Sequence, residues 1–151
     1  MNNNFQPKII AFCCNWCSYP AADAAGISRL QYPANIRIVR VMCGGRVTTG
    51  LVLKAFELGA DGVLIATCHF EDCHYLFGAK RASEVHKITE KLVQILGIEP
   101  ERLRLDWISA AEAPKFAKVV KEFVEAVKKV GPSPIRKKVT DDKYQIPEEI
   151  K

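Results

Sequence analysis

The sequence predicts an α/β fold in three layers, with a four-stranded parallel sheet in the order 2-1-3-4 and helices on both faces. Within the 151 residues, four short apolar runs alternate with four segments of helical periodicity, a pattern typical of right-handed crossovers in a parallel sheet. The first and third runs are apolar on both faces, which places them in the centre. The second and fourth contain charged residues and belong at the edges. This is the flavodoxin-like order without its last strand.

Residues 8–13 form the first strand, which is apolar on both faces, and the first helix follows it. Pro20 is placed to open this helix, which covers residues 21–32. Gly26 weakens this helix, and its small residues predict close packing against the sheet. Pro33 is expected to end the helix, because proline removes a backbone donor and its ring clashes with the preceding turn.

The second strand, residues 36–42, is interrupted by arginines, so we expect it at an edge that is partly open to water. A tight turn follows, and a helix covers about residues 50–58. Thr48 or Thr49 is expected to cap the start of this helix with its hydroxyl group, and Gly59 fits the position that ends it.

The third strand, Gly62–Thr67, is again apolar and therefore central. After a loop, a long helix covers residues 79–96, and Gly97 is expected to end it. Its apolar residues keep helical spacing, as in an amphipathic helix. They are Val85, Ile88, Leu92 and Ile95 or Leu96.

The fourth strand, residues 103–108, alternates apolar and charged residues, which predicts one buried face at the other edge of the sheet. The last helix covers residues 112–130. One continuous apolar stripe along it has the period expected for burial against a sheet. The stripe consists of Phe116, Val119, Val120, Phe123, Val124 and Val127.

Residues 1–130 are predicted to form a single α/β domain, because a chain of this length holds one core. Residues 131–151 begin with two prolines and contain few apolar residues, so we expect an extended or disordered C-terminal arm. Docking of this arm on a partner protein is a hypothesis, with Tyr144 and Ile146 as candidate anchors.

Composition and charge argue against several classes of function. No apolar run approaches the roughly 20 residues that cross a bilayer, and the N-terminus carries no hydrophobic signal segment, so we expect a cytoplasmic protein without membrane insertion. The net charge is +5, but basic and acidic residues are mixed, and no basic stripe with aromatic residues indicates nucleic-acid binding. In a reducing cytoplasm, six cysteines favour metal ligation or redox chemistry over structural disulfides.

All six cysteines lie at or after the ends of strands that finish at the same edge of the predicted sheet. Three of them lie in the stretch FCCNWCSY at the end of the first strand, and the others follow the second and third strands. They are Cys13, Cys14, Cys17, Cys43, Cys68 and Cys73. The carboxyl edge at the topological switch point is where open α/β sheets bind ligands, so the cysteines indicate a site there.

Several thiolates in one crevice repel each other unless a cation balances their charge, so this edge predicts a metal centre. A site made of cysteines, with the C-x-x-C pair Cys14 and Cys17, selects zinc or an iron–sulfur cluster. A 2Fe–2S cluster needs four thiolates. Cys43 with either Cys68 or Cys73 can complete the set.

Neighbouring residues leave alternatives open at this site. Cys13 can be a buried small hydrophobe rather than a ligand, because adjacent residues of a strand point to opposite faces. His69 and His74 can each replace a cysteine ligand or lie in the loop beside the site. Trp16 can shield the site from water or cover the edge of the core.

Two further patterns near the cysteines have local explanations. Glu71 and Asp72 are adjacent in a loop, so they are expected to cap a helix rather than to act as a catalytic pair. Gly44 and Gly45 belong to no phosphate-binding motif, and their tight turn allows backbone N–H groups to approach the cluster sulfurs.

Four blocks of the sequence closely resemble the delta (iron–sulfur) subunit of methyl-viologen-reducing hydrogenase from methanogenic archaea. The blocks are IIAFCCNWCSYPAADAAGISRLQYP, IRIVRVMCGGRV, GADGVLIATCHFEDCHY and ERLRLDWISAAEAPKFA. The resemblance covers about residues 8–130, and its cysteine-containing blocks are specific in combination. Thr67 stands where this family more often has glycine, a difference that is not expected to affect ligation.

The resemblance implies an electron-transfer subunit that carries a 2Fe–2S cluster on cysteines among the matching six. It implies two partners: an electron-donating nickel–iron hydrogenase or formate dehydrogenase, and the flavin-containing, A-type subunit of heterodisulfide reductase. There, electrons are bifurcated between ferredoxin and the CoM-S-S-CoB heterodisulfide. Within the six cysteines, the choice of four ligands stays open. The candidate ligands are Cys14, Cys17, Cys43, Cys68 and Cys73.

Two other functions are compatible with a C-x-x-C motif. A thiol–disulfide redox protein needs one thiol of lowered pKa at a helix N-terminus, but it has no need for four more cysteines at the same edge. A structural zinc module usually contains paired C-x-x-C motifs, and this sequence contains one. The sequence therefore favours the electron-transfer subunit.

Overall fold

The computed structural model describes residues 5–136, and its four strands form one parallel sheet. The strands are β1 (Ile9–Cys14), β2 (Ile36–Val41), β3 (Gly62–Thr67) and β4 (Leu103–Trp107). Their order is β2-β1-β3-β4, which confirms the predicted fold class and strand order. β1 is paired on both sides, so that Cys13 aligns with Arg40 of β2 and with Ala66 of β3.

Alternate residues of the central strands face different layers of helices. The helices are α1 (Ser18–Ile27), α2 (Thr49–Glu57), α3 (Gly78–Ile95) and α4 (Ala113–Val130). Ala11 and Cys13 of β1 pack into a core with α1 and α4, whereas Phe12 packs into a second core with α2 and α3. Because both faces of the sheet are covered, the two central strands are apolar along nearly their whole length.

The first helix differs from its predicted bounds, residues 21–32, at both ends. α1 begins at Ser18 and ends at Ile27. Pro20 lies inside the first turn, where the missing N–H has no intrahelical acceptor to lose. Arg29 takes a left-handed conformation with φ 54°, and this turn ends the helix before the predicted proline stop. The predicted packing of small residues is confirmed by the buried Ala21, Ala22 and Ala25.

The predicted cap of α2 and the predicted stops of α2 and α3 are confirmed. The Thr48 hydroxyl accepts a hydrogen bond from the Leu51 N–H at 3.3 Å and so caps the first turn of α2. Gly59 follows α2 with φ 96°, and Gly97 follows α3 with φ 75°. Both glycines adopt the left-handed conformation that commonly ends a helix.

Helix α3 packs against the domain through small side chains such as those of Ala79 and Ala82, which are fully buried. The side chains at its regularly spaced apolar positions are largely exposed, with 57% of Ile88 and 79% of Ile95 accessible to solvent. Small residues at the contact allow the start of α3 to approach the short 3₁₀ turn Gly44–Arg46, which follows β2. This close approach brings two cysteine-bearing loops together.

Helix α4 buries its apolar stripe against the sheet, as its periodicity predicts. The buried stripe consists of Phe116, Val119, Val120, Phe123, Val124 and Val127. α3 and α4 are the longest helices that the structure describes, with 18 residues each. Among residues 5–136, no helix combines the length and the apolar character that crossing a membrane requires.

A buried carboxylate and a buried guanidinium fasten the chain after α4 to the amino edge of the sheet. The Asp61 carboxylate accepts hydrogen bonds from the Ser133 N–H at 3.0 Å and from Arg136 at 3.2 Å. The fully buried Arg102 donates to two backbone oxygens of the same segment. The first residues of the predicted arm therefore contact the domain. Residues 137–151 lie outside the described part of the chain, and the division at residue 130 stays a prediction.

Replacing Arg102 with methionine is expected to lower the free energy of unfolding by about 3 kcal/mol. The guanidinium donates to the backbone oxygens of Asp61 at 3.1 Å, Gly131 at 2.8 Å and Pro132 at 2.9 Å, and these oxygens would lose their buried donors. Urea unfolding of anaerobically prepared protein measures the change. The exposed Lys121→Met is the control, and its effect should stay within about 0.5 kcal/mol. Equal effects of the two variants would contradict the prediction.

Candidate metal centre

The last two residues of β1 separate the six cysteines into two environments. Cys13 is fully buried in the core between the sheet, α1 and α4, and burial raises the pKa of its thiol to about 12. Cys14, on the opposite face of the strand, joins a cluster at the carboxyl edge of the sheet. The interpretation of Cys13 as a buried small side chain therefore fits its position, and five of the six cysteines remain near the predicted site.

Three cysteines from two strand ends bring their sulfur atoms together. The Sγ atoms of Cys14, Cys17 and Cys68 all lie within 4.8 Å of one another. Cys14 Sγ and Cys68 Sγ are 3.6 Å apart. A tetrahedral ion with metal–sulfur bonds of about 2.3 Å separates two sulfur ligands by about 3.8 Å, so this spacing fits a shared metal ion.

The other two cysteines of the site, Cys43 and Cys73, lie beside the first residue of α3. A Cβ atom on Gly78 would stand 2.1 Å from Cys43 Sγ and 3.2 Å from Cys73 Sγ. The Gly45 N–H donates to Cys43 Sγ, and the Ala79 N–H donates to Cys73 Sγ, each at 3.4 Å. Backbone N–H groups therefore donate to both sulfurs. The contact from Gly45 is the one that the tight turn in the sequence predicts.

Glycines make the close approach of these loops possible. A Cβ atom on Gly44 would lie 2.3 Å from Thr67 Oγ1, and one on Gly45 would lie 3.0 Å from Gly78 Cα. The hydroxyl oxygen of Thr67 is buried and has no hydrogen-bond partner among the described residues. The residues present therefore form a close-packed cradle of sulfur and N–H groups, which fits an iron–sulfur cofactor.

The thiols of the three-sulfur group cannot all carry charge as they stand. Hydrogen bonds from Cys17 and then from Cys68 hold the pKa of the Cys14 thiol well below its ordinary range. The contact with Cys14 in turn raises the pKa of the Cys17 thiol and that of the Cys68 thiol. Burial raises both pKa values further. A second or third thiolate in this group therefore requires a cation.

Ser18 is a positioning residue that the sequence analysis did not single out. Its hydroxyl donates to the Ala66 backbone oxygen at 2.7 Å and accepts from the Cys14 N–H at 2.8 Å. It thereby ties the start of α1 to β1 and β3 directly behind Cys14. The sequence signal for this role is that Ser18 directly follows the C-x-x-C pair, at a point where a helix begins and serine is common.

Aromatic side chains next to Cys17 and Cys73 in the chain form a cluster beside the site. The Trp16 ring stacks on the His74 ring with centroids 3.9 Å apart and planes 13° from parallel. Trp16 also donates from its indole N–H to the Tyr75 hydroxyl at 3.3 Å. Trp16 directly precedes Cys17, so a role as a shield stays one of its two alternatives, and His74 takes part in the aromatic cluster.

His69 and the acidic residues that follow it lie outside the group formed by the sulfur atoms of Cys14, Cys17 and Cys68. His69 Nε2 is 2.7 Å from Glu112 Oε2, and the Ser109 N–H and His69 together lower the pKa of the Glu112 carboxyl to about 2. Glu71 and Asp72 are exposed. Their predicted role as caps of the following helix is wrong, because no side chain of the described residues caps the start of α3.

Comparison with known proteins points to one family. Residues 9–131 match the family described as methyl-viologen-reducing hydrogenase, delta subunit. The iron-sulfur subunit of the F420-non-reducing hydrogenase of Archaeoglobus profundus is 47% identical over 132 residues, which are 87% of this chain and 96% of that protein. The vhc iron-sulfur subunit of the F420-non-reducing hydrogenase of Methanococcus voltae is 46% identical over 136 residues, 90% and 94% of the two chains.

A second kind of relative contains a similar sequence within a much longer protein. The A-type subunit of the ferredoxin/F(420)H(2)-dependent CoB-CoM heterodisulfide reductase of Methanosarcina acetivorans is 47% identical over 126 residues. The match covers 83% of this chain but only 16% of that protein. Sequences similar to this domain therefore occur both as nearly whole subunits and as a small part of a heterodisulfide reductase polypeptide.

Proposed function

Because this chain belongs to the family of the methyl-viologen-reducing hydrogenase delta subunit, we propose that it is an iron–sulfur protein that relays electrons between two enzymes. The observation that carries the proposal is the gathering of five cysteines at the carboxyl edge of the sheet, three of them with sulfur atoms within 4.8 Å. The relatives whose names include the words "iron-sulfur" support the type of cofactor.

The cofactor in this proposal is a 2Fe–2S cluster held by four of the five thiolates. Cys14, Cys17 and Cys68 offer ligands on one side, and Cys43 and Cys73 offer them beside Gly78. Such a cluster supplies one-electron transfer when bound. Because one thiolate more than needed is present, the fifth sulfur is available for a contact next to the cluster.

The chain's own residues hold, cover and tune the centre. All five cysteines are buried, which limits the contact between water and the sulfurs. The N–H groups of Gly45 and Ala79 donate to two of these sulfurs, and such hydrogen bonds raise the reduction potential of a cluster. The protein thus contributes ligands and a preformed hydrogen-bonding environment.

The partners in this proposal are an electron-donating hydrogenase or formate dehydrogenase and the flavin-containing, A-type subunit of heterodisulfide reductase. The hydrogenase subunits among the relatives support the first, and the match inside an A-type heterodisulfide reductase polypeptide supports the second. Domains that occur within one polypeptide in one organism often associate as separate chains in another. The proposal includes electron bifurcation at the flavin of the reductase and a cytoplasmic location, where free cysteines persist.

Anaerobic purification followed by metal analysis tests the proposed cofactor. We expect two irons and two acid-labile sulfides per chain, with visible absorption from thiolate-to-iron charge transfer. One zinc and no iron would favour the structural zinc module instead. Colourless protein without metal but with disulfide-exchange activity would favour the thiol–disulfide redox protein. Either of these results would overturn the proposed function.

A further inference from the structure

We infer that an exposed patch of apolar and arginine side chains beside Cys43 docks the A-type subunit of heterodisulfide reductase through an acidic surface with an apolar socket. This patch is termed the docking patch. Its members are Met42, Arg46, Tyr75, Leu76, Phe77 and Arg81. The inference rests on the proposed function, since it assigns the face through which the relay meets one partner.

The docking patch lies where the site comes nearest to solvent. Among the five cysteines of the site, Cys43 is the most exposed, with 9% of its surface accessible, whereas Cys14 retains 1% and Cys68 retains 2%. Cys43 opens into a cavity of about 480 Å³ that Met42 and Phe77 also line. A partner cofactor therefore has its shortest approach over Cys43.

The apolar side chains of the docking patch are strongly exposed to water, which is unfavourable for a surface without a partner. Leu76 is 75% exposed, Phe77 is 73% exposed and Met42 is 55% exposed. Leu76 also holds a left-handed backbone conformation, with φ 63°, which is unfavourable for a large side chain. This strained turn directly follows the loop that carries Cys73 and presents two large apolar side chains to solvent.

The charged side chains that line the cavity indicate which kind of partner surface would bind there. Arg46 and Arg81 are exposed and line it, and none of its described lining residues is acidic. Aromatic, methionine and arginine side chains are the types enriched in protein interfaces. An acidic surface with an apolar socket is therefore the complement. The partner is assigned as the A-type reductase subunit because a sequence similar to this chain forms part of that subunit in Methanosarcina acetivorans.

The test compares variants for binding to the A-type reductase subunit from the same organism, using the full chain purified anaerobically with its metal. Phe77→Ser removes the most protruding ring, and serine is well suited to the N-cap position that Phe77 occupies, so α3 keeps its start. Arg46→Glu/Arg81→Glu reverses the charge. The matched controls are Ile95→Ser, 79% exposed at the other end of α3 about 27 Å away, and the exposed Lys91→Glu.

Biolayer interferometry under nitrogen gives the dissociation constants. We expect Phe77→Ser to raise the Kd about tenfold or more, as for a central apolar anchor. The double charge reversal should raise the Kd about tenfold and remove most of its salt dependence. Both controls should stay within about twofold of wild type. Iron, sulfide and the visible spectrum should match wild type in every variant.

The outcomes separate the docking patch from the proposed function. Wild-type affinity in both test variants, or equal weakening by Ile95→Ser, would overturn the docking patch while leaving the relay intact. Unchanged binding to the A-type reductase subunit with weakened binding to the hydrogenase would overturn the choice of partner. If loaded wild-type protein does not bind that reductase subunit to any measurable extent, the proposed relay is wrong, and the docking patch is overturned with it.

Discussion

Replacing Cys14 with alanine is expected to leave less than about one tenth of the wild-type iron, whereas replacing the adjacent Cys13 leaves the iron content unchanged. Cys14 Sγ lies 3.6 Å from Cys68 Sγ and within the same group as Cys17 Sγ, so its loss removes one of the three close sulfurs. The Cys13 side chain lies in the core on the other face of β1. Two neighbouring cysteines should therefore behave in opposite ways.

Colorimetric iron and sulfide assays and the visible spectrum measure this difference, and far-UV circular dichroism checks that each variant is folded. Cys13→Ala should lower the free energy of unfolding by about 1 kcal/mol, because it leaves a small cavity in a packed core. Cys14→Ser, which keeps the size of the side chain, should lose iron in the same way. Equal iron in the Cys13 and Cys14 variants, or loss in Cys13→Ala alone, would contradict the assignment.

Replacing Gly78 with alanine is expected to abolish or severely reduce iron incorporation, although Gly78 itself offers no ligand atom. The added methyl group would lie 2.1 Å from Cys43 Sγ, closer than packed atoms allow, and 3.2 Å from Cys73 Sγ, tighter than most packed contacts. Either the two thiols or the start of α3 must move. Overpacking of this kind costs about 1–3 kcal/mol of stability, and the displacement takes two candidate ligands from their positions.

The control for this variant is Gly26→Ala, at a glycine in α1 whose added methyl group would have no atom of residues 5–136 within 4 Å apart from its own helix and chain neighbours. Alanine favours the helix, so this variant should gain about 0.5–1 kcal/mol and keep its iron. Thermal unfolding followed by circular dichroism and the iron assay measure both quantities. A Gly78→Ala protein with full iron and an unchanged spectrum would show that Cys43 and Cys73 do not need this spacing.

The candidate centre lies where several helices begin, and this placement suits thiolate ligands. Cys17 is the N-cap residue of α1, and Cys43 precedes the 3₁₀ turn Gly44–Arg46. Cys73 Sγ accepts a hydrogen bond from the first turn of α3. Free N–H groups at helix N-termini carry partial positive charge, which favours negative sulfur. The N–H groups at these helix starts therefore offset part of the negative charge that the sulfurs would carry as metal ligands.

Much of the fold was predictable from local patterns. Apolar runs such as Gly62–Thr67 indicate central strands, and their alternation with amphipathic segments leaves few topologies for a parallel sheet. The order 2-1-3-4 followed from which runs are interrupted by charge. Because every cysteine lies at or after the end of one of the first three strands, that order alone placed the candidate site at the carboxyl edge.

The details of the site depend on distances between residues that are far apart in the sequence. Which of Cys13 and Cys14 faces the site depends on where β1 ends relative to the helices that cover each face. The closeness of Gly78 to Cys43 depends on how α3 packs against the turn after β2, and no local pattern encodes that contact. Strand periodicity brought the cysteines to one edge, whereas the packing of the crossover helices decided which sulfurs meet and which side of the centre is open.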